Sequence, residues 1–405
     1  MLTLSSGEKT LEARNLDASS LALLGAFCLF LSAVEYMIPK PLPFMRIGLA
    51  NLPIMLGLCI FPLRSFVILI CIKVFGQALI TGTLFSYIFL FSFTGTFLSA
   101  LFMFFLQKIA KDNITFIGIG AAGAVISNIS QLALAYMFIF KESVRYITPP
   151  FLAAGLVTGI VLGVFCEMFV RRSRWIKTII FSHGGTEARS CCSNLSFIEH
   201  KIKNRLLFYN NIFSAEMLFL AGLLIIPAVL FNPSTEYRVY QFLFFCFLVL
   251  LSGKKTDFLF TVFVTFIVIA FNLIIPYGRV LFSIGVFKIT SGALEAGIHR
   301  AVTLQALVML SKITIRKDLI LPGAFGQLLG ESMCIFSEIM SRKFKIKGKN
   351  IFDKNIFYKI DNLMMELSDI KFTQQPIQKI HTKPAGYVIL IAVIIISWLP
   401  WFILF

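Results

Sequence analysis

Residues 21–51 read LALLGAFCLFLSAVEYMIPKPLPFMRIGLAN, and this stretch decides the class of the protein. Its first part, Leu21–Ile38, is almost wholly apolar and is close to the length of about 20 residues that a membrane helix needs. The alternate prolines of Pro39–Pro43 then prevent a helix, and the charges of Lys40 and Arg46 exclude contact with lipid. The stretch therefore predicts a transmembrane helix that is followed by a non-helical reversal.

The whole chain shares this apolar character. It has 405 residues, of which 58% are apolar and 14% charged, and its mean hydropathy is +0.87. Soluble domains carry about 25% charged residues, so the composition excludes a soluble protein. The net charge is +17, and the basic residues collect in Arg171–Arg205 and Arg342–Lys383, as the positive-inside rule expects of cytoplasmic loops. We therefore expect a multi-pass protein of the cytoplasmic (inner) membrane, with its N-terminus inside, that contacts membrane lipid and not nucleic acid.

Apolar spans occur along both halves of the chain. Those of the first half are Leu21–Ile38, Leu49–Phe61, Ser65–Gly82, Tyr87–Leu106, Phe116–Phe140 and Phe151–Val170. Those of the second half are Ile212–Phe231, Tyr240–Leu251, Phe258–Ile275, a long segment Val280–Ile315, and Tyr387–Phe405. The pattern predicts an all-α polytopic membrane protein with about eleven transmembrane helices.

Polar and basic stretches divide the chain into domains. Residues 1–19 are polar and of mixed charge, which predicts a retained cytoplasmic tail and not a signal peptide. A six-helix domain covers 20–172, and a basic cytoplasmic linker covers 173–211. A second transmembrane domain covers 212–405, and its amphipathic or polar block at about 316–383 is predicted to lie in the cytoplasm.

Several polar side chains stand inside or beside the spans of the first half. They are Glu35, Arg46, Asn51, Lys73, Gln77, Asn128 and Gln131. Because a polar group is costly to place against lipid, each of them indicates a functional site by default. We predict that Glu35, Arg46, Asn51, Gln77, Asn128 and Gln131 bind a small, partly apolar substrate in a cavity rich in Phe and small residues. The alternative, in which Glu35 pairs with Arg46 or Lys73 and the amides join helices, stays open.

Two further patterns concern packing and chemistry. Gly118, Gly120 and Gly123, with alanines between them, predict a helix that packs closely on its neighbours. The chain has no G-x-x-x-x-G-K-[ST], D-D-x-x-D, H-E-x-x-H or G-x-S-x-G element, so we expect neither an enzyme nor a bound cofactor or metal. A zinc site lacks the usual C-x-x-C spacing, although four candidate ligands stand in the linker: His183, Cys191, Cys192 and His200.

A family resemblance rests on three elements of the first half. They are Glu35-x-x-x-Pro39-x-Pro41-x-Pro43-x-x-Arg46-Ile47-Gly48-Leu49-Ala50-Asn51, Phe91-Ser92-Phe93-Thr94-Gly95, and Gly118 to Gln131 with Asn128-Ile129-Ser130-Gln131. Over about residues 20–172 they resemble the Gx transporter family, also called heptaprenyl diphosphate synthase component I. That family is similar to the substrate-binding S component of energy-coupling factor transporters. Ser127 departs from the histidine that we expect before the asparagine.

The second half is similar to the T component of the same transporters. The similarity rests on the helix Gly292–Leu310 with His299-Arg300-Ala301, and on a basic block with Ser341-Arg342-Lys343. It implies an S–T fusion that binds a vitamin-like or cofactor-precursor substrate and couples to two separate ATP-binding cassette ATPases, which hold the ATP and Mg. Arg342 and Arg300 are then the candidate ATPase contacts.

Two other functions stay open. One is a non-catalytic membrane component of polyprenyl diphosphate or quinone synthesis, and the other is a membrane module of an electron-transfer system.

Overall fold

A computed structural model describes most of the chain. The described residues are 6–37, 48–110, 113–181, 189–191, 209, 212–232, 234–254, 258–284, 287–316, 319, 321–341, 356–368, 370–372 and 382–404. The proline stretch after the first span, Arg46, Arg342 and most of the linker lie outside these residues. So do the side chains of the four candidate zinc ligands.

The described elements are almost all helical. The first half contains α1 (Ser6–Met37), a 3-10 turn (Leu49–Asn51), α2 (Leu52–Ile60), α3 (Leu63–Thr81), α4 (Tyr87–Ala110), α5 (Phe116–Ala135), a π-helical turn (Tyr136–Phe140), a 3-10 turn (Lys141–Ser143) and α6 (Val144–Arg172). The linker contributes α7 (Arg174–Phe181) and β1 (Arg189–Cys191). The second half contains α8 (Ala215–Leu230), α9 (Thr235–Ser252), α10 (Phe258–Leu273), β2 (Val280–Ile284), β3 (Phe287–Thr290), α11 (Ser291–Thr314), α12 (Gly323–Ser341), α13 (Ile356–Ser368), β4 (Ile370–Phe372) and α14 (Pro384–Leu404).

The predicted all-α membrane fold is confirmed. Among the described residues, the helical stretches long and apolar enough to cross a membrane are Ala18–Tyr36, Leu63–Thr81, Tyr87–Ala110, Phe116–Arg172 and Thr235–Ser252. Shorter apolar stretches are Leu49–Ile60, Ala215–Leu230, Phe258–Leu273 and Pro384–Pro400. The number of about eleven spans stays a prediction.

Two elements differ from the sequence prediction. Helix α1 begins at Ser6, so much of the predicted tail is continuous with the first membrane helix. The long segment Val280–Ile315 begins with an antiparallel hairpin, in which Val280 pairs with Thr290 and Ile284 with Phe287, before α11 starts. The hairpin forms because Val, Ile and Phe residues recur through it, and these residue types favour strands as strongly as they favour burial in lipid.

Glycines bring α5 and α6 into close contact. A Cβ atom added to Gly159 would lie 2.6 Å from the carbonyl oxygen of Gly120 and 2.6 Å from the Cβ atom of Ala124. One at Gly163 would lie 2.6 Å from the backbone of Ile117. The predicted close packing of the α5 glycines is therefore observed at Gly120, and its partner surface is a glycine row on α6.

Consecutive helices of the first half run antiparallel. Lys73 of α3 contacts Thr96 of α4, and Ser99 of α4 donates to the carbonyl of Gly123 on α5. Since α3 to α6 alternate in direction, the α3–α4 and α5–α6 connections lie at the same end of this half.

This end of the first half lies along the side of α11. In the α3–α4 connection, the backbone N–H of Phe85 donates to Ser311 Oγ at 3.0 Å, and that hydroxyl donates to the carbonyl of Gly82 at 2.8 Å. In the α5–α6 connection, the carbonyl of Ile139 accepts from Arg300 Nη1 at 3.4 Å. The two α11 residues are eleven positions apart, or about 16 Å along a helix. The helices of the first half are therefore inclined to α11 and not parallel to it.

Helix α12 makes another contact between the halves. It packs against the middle of α1 and α3, where Gly25 faces Ser332 and Gly76 faces Leu329. The rings of Phe75 and Phe325 meet edge to face at 5.9 Å.

A buried carboxylate of α13 binds the start of α7. Asp361 accepts the N–H groups of Arg174 at 2.9 Å and Trp175 at 3.1 Å, and the hydroxyl of Ser173 also donates to it. The carboxylate thus caps the start of α7, where the helix leaves its first N–H groups unpaired.

The glycine contact between α5 and α6 predicts a large effect of added bulk. We expect Gly159→Leu to lower the melting temperature of the purified protein, because overpacking of this kind typically costs about 1–3 kcal/mol. Ala153→Leu places the same side chain on the exposed face of the same helix and serves as the control. Equal melting temperatures for the two variants would contradict the close packing.

Candidate functional site

A small cavity of about 40 Å³ lies between the helices of the first half. Each of the helices α1 to α6 contributes residues to its wall. The lining residues are Glu35, Gly48, Ala50, Asn51, Met55, Lys73, Thr96, Ser99, Met103, Gly120, Gly123, Ala124, Ser127, Asn128, Gly155, Thr158, Gly159 and Leu162. The sequence-predicted residues Glu35, Asn51 and Asn128 therefore lie around one space.

The ammonium group of Lys73 joins three parts of this wall. Lys73 is only 2% exposed, and its Nζ donates to Asn51 Oδ1, at the start of α2, and to Thr96 Oγ1 of α4 at 3.0 Å. A buried charge is tolerated only where polar groups replace its hydration. Asn51 and Thr96 supply these groups, so the position of Lys73 sets the spacing of α2, α3 and α4.

Glu35 brings a carboxylate to the same cavity. It is 5% exposed, near the end of α1, and its Oε2 accepts from the backbone N–H of Ala50 at a long 3.5 Å. Gly48, with φ of 89°, turns the chain into the 3-10 turn that presents this N–H. An acidic group at the start of a helix is also favoured by the helix dipole.

Asn128 joins two helices and also lines the cavity. Its Nδ2 donates to the carbonyl of Phe151 on α6 at 2.8 Å, which is the helix-joining role that the sequence left open. A Cβ atom added to Gly155 would lie 1.8 Å from that Nδ2, so only glycine leaves room for the amide. Asn128 thus joins two helices and also lines the cavity, and its predicted role in substrate binding stays a prediction.

The cavity wall differs from the predicted one in its aromatic content. The chain has 45 phenylalanines, yet none of the described residues that line the cavity is aromatic. Glycine, alanine, serine and threonine supply most of the wall, and Met55, Met103 and Leu162 supply its larger apolar groups. The lining residues are small, as predicted, but the described wall has no phenylalanine, because rings pack between helices, as Phe66 of α3 and Phe104 of α4 do at 5.4 Å.

Gln77 and Gln131 do not line the cavity. Gln131 is buried beside Gly95, and its Nε2 donates to Ser127 Oγ at 3.0 Å. Gln77 lies one turn beyond Lys73 on α3, and its carbonyl accepts from Thr81. Arg46 is outside the described residues, so its predicted role stays a prediction.

Arg300 is not among the residues that line this cavity, and it lies between the two halves. Its guanidinium donates to Asn272 Oδ1 and to the carbonyl of Ile139. At the other end of α11, Lys254 donates to the carbonyl of Ile315 at 3.1 Å. The topology predicted from the charges puts Lys254 inside and the Arg300 end outside, which is at odds with a contact between Arg300 and an ATPase. Arg342 lies outside the described residues.

Sequence reasoning missed several lining residues. The sequence shows Lys73 as a polar residue within a membrane span, but the predicted substrate-binding set leaves it out. Its isolation in an apolar span was a sufficient signal. Thr96, Ser99 and Thr158 carried no such signal, because hydroxyl side chains in helices commonly bond to their own backbone.

Two family models match separate parts of the chain. Residues 24–169 match the family model of heptaprenyl diphosphate synthase component I, which is the resemblance noted above and nearly the same range. Residues 215–317 match a domain of unknown function (DUF8519). No curated protein and no solved structure matches the chain.

The opposite charges in one cavity predict coupled effects on stability. We expect Lys73→Met to destabilise the protein by about 3–5 kcal/mol, because it removes a buried ammonium group, bound by Asn51 and Thr96, from a cavity that also contains the buried Glu35 carboxylate. The double variant Lys73→Met/Glu35→Gln should recover a large part of this loss. Thermal unfolding of purified protein measures both, and Lys108→Met, at the exposed end of α4, is the control. Strictly additive effects of the two substitutions would contradict the coupling.

Proposed function

We propose that this protein is the membrane subunit of an energy-coupling factor type importer in the cytoplasmic membrane. The first half binds a small vitamin-like or cofactor-precursor substrate in the cavity around Lys73, Glu35, Asn51 and Asn128. The second half couples that cavity to two separate ATP-binding cassette ATPases, which hydrolyse ATP with Mg. The chain itself is not an enzyme and holds no cofactor.

The packing of α12 carries this proposal. The helix follows α11 in sequence. It contacts α3 at Gly76, which lies three residues after Lys73 on the same helix. It also contacts α1 at Gly25, on the helix that carries Glu35. A displacement of α12 therefore acts directly on the two helices that bear the charged groups of the cavity.

The inclination of the first half supports a tilting mechanism. Its connections lie along about 16 Å of α11, held by Ser311 at one point and Arg300 at the other. Closure of the ATPases on ATP would move α12 and the basic segment that follows it. The first half would then turn against α11, and its cavity would change the side of the membrane to which it opens.

A second candidate function follows from the name of the matching family. That name describes a component of heptaprenyl diphosphate synthase, so a non-catalytic membrane partner of a soluble prenyl synthase is the alternative. The two candidates differ in the partner that they require, and this difference is open to direct measurement.

Purification of the tagged protein from its native membrane in mild detergent tests the proposal. We expect two ATP-binding subunits in comparable amount, identified by mass spectrometry. A prenyl synthase without an ATPase would favour the alternative and overturn the importer.

Charge reversal in the basic segment tests the ATPase contact. We expect Arg342→Glu to reduce the recovery of ATPase subunits by roughly tenfold, because a guanidinium pairs well with carboxylates and its reversal produces repulsion. Lys108→Glu, at the exposed end of α4, makes the same change of charge elsewhere and should leave recovery unchanged. Equal recovery from the two variants would remove Arg342 from the contact.

A disulfide between α1 and α12 tests the coupling route. A Cβ atom at Gly25 would lie 3.4 Å from that of Ser332, close to the usual spacing in a disulfide. We expect Gly25→Cys/Ser332→Cys to cross-link on oxidation and to slow ATP hydrolysis by the purified complex at least tenfold. Reduction should restore the rate, and each single cysteine variant is a control. A cross-linked complex with an unchanged rate would show that ATP hydrolysis does not require movement between α1 and α12.

A further inference from the structure

The hairpin between α10 and α11 exposes apolar side chains on both of its faces. Val280 pairs with Thr290, and Phe282 pairs with Ile289. Paired residues share a face and successive residues of β3 point to opposite faces, so Val280 and Phe282 lie on opposite faces of the hairpin. Both are more than half exposed, as is Leu281 between them. A protein surface that covers one face of the hairpin would leave the other face in water.

The base of the hairpin is held firmly on the protein. The backbone N–H of Tyr277 donates to Thr290 Oγ1 at 3.1 Å, and the N–H of Ser291 donates to the carbonyl of Arg279 at 2.8 Å. Gly278 has a φ of 87°, which glycine adopts without strain, and this lets the chain turn sharply between the two contacts. These contacts fix the direction in which the exposed strand projects.

The position of α10 places this base close to one surface of the membrane. Helix α10 has 16 residues, or about 24 Å along its axis, against about 30 Å for the hydrocarbon core. Its side chains Leu259, Phe263 and Phe266 are exposed at helical spacing and so face lipid. Tyr277 follows only four residues after Leu273, the last residue of the helix. The hairpin therefore begins close to the boundary of the hydrocarbon region.

The backbone of the hairpin excludes a position inside the hydrocarbon. Within the part of the chain that the structure describes, β2 pairs with β3 and with no other strand, so the second edge of β2 is open. The register also shifts between Val280 and Phe282, and this bulge leaves Leu281 outside the ladder. Unpaired N–H and C=O groups are costly in lipid, and open sheet edges do not occur there. The exposed side chains thus need an apolar environment, while the backbone needs polar groups.

We propose that the β2–β3 hairpin binds the phospholipid interface of the membrane. Its apolar side chains lie among the lipid chains next to the headgroups, and its open edge lies among the headgroups, so one location supplies both environments. Tyr277 is half exposed and of a residue type enriched at membrane interfaces, and Arg279 is exposed and can extend its charge towards lipid phosphate. Because β3 leads directly into Ser291, the first residue of α11, the hairpin fixes the depth of α11 in the membrane.

Tryptophan fluorescence of the full chain in phosphatidylcholine nanodiscs tests this binding. Val280→Trp and Phe282→Trp place one probe on each face of the hairpin. Tyr358→Trp, at an exposed position of α13, is the control for water, and Phe263→Trp, in α10, is the control for the hydrocarbon. The emission of the unchanged protein is subtracted, because the chain has three native tryptophans. Melting temperatures equal to that of the unchanged protein show that the variants fold.

Iodide quenches a tryptophan in water, and lipid that carries bromine on its acyl chains quenches one in the membrane. We expect lipid brominated near the headgroup to quench both hairpin probes roughly threefold more strongly than it quenches Tyr358→Trp. Lipid brominated near the chain end should quench them less than this, and should quench Phe263→Trp more, because the hairpin lies at the interface. Iodide should quench both hairpin probes roughly threefold less than it quenches Tyr358→Trp.

Three results would overturn the proposal. Iodide quenching at Val280→Trp or Phe282→Trp equal to that at Tyr358→Trp would place that face in water, as a binding surface for an external protein. Protection from both iodide and brominated lipid would show that a second copy of the chain covers the hairpin. Stronger quenching by bromine near the chain end than by bromine near the headgroup would place the hairpin inside the hydrocarbon. The test needs neither ATPases nor a substrate, so its outcome is independent of the importer.

Discussion

A lysine ammonium buried at membrane depth is the constraint on which the first half depends. Lys73 is only 2% exposed, so the 3-10 turn before α2 and helix α4 bring the polar groups of Asn51 and Thr96 to its ammonium. The carboxylate of Glu35 comes to the same space, and the 3-10 turn at Leu49–Asn51 presents the N–H that it accepts. Elements distant in sequence thus meet around one cavity, which both charged side chains line.

The apolar spans and part of this site could be predicted from the sequence. Span prediction succeeds because each helix must cover the hydrocarbon region with apolar side chains, and Glu35, Asn51 and Asn128 are conspicuous in such a background. Gln77 and Gln131 are equally conspicuous but face other helices, and only the packing decides which face is inward. The hairpin before α11 was missed for a related reason, since its residues suit a strand and a buried helix alike.

The contacts between the halves had no signature in the sequence. Gly25 and Gly76 look like ordinary small residues of membrane helices, and their significance comes from Ser332 and Leu329, more than 250 positions later. Ser311 likewise has no distinctive sequence context, and its role is visible only in its two hydrogen bonds to the α3–α4 connection. Such fits depend on shape at a distance along the chain, which composition and periodicity do not encode.

The glycine row between α5 and α6 has a consequence for how the cavity can change its size. The backbones of α5 and α6 touch at Gly120, Gly159 and Gly163, where no side chains can rearrange. We therefore expect α5 and α6 to move together as one rigid unit. The opposite side of the cavity is built from α1 and α3, which rest on α12. A change in the size of the cavity would thus be asymmetric. Asn128 would stay with the rigid α5–α6 pair, whereas Glu35 and Lys73 would move with α1 and α3.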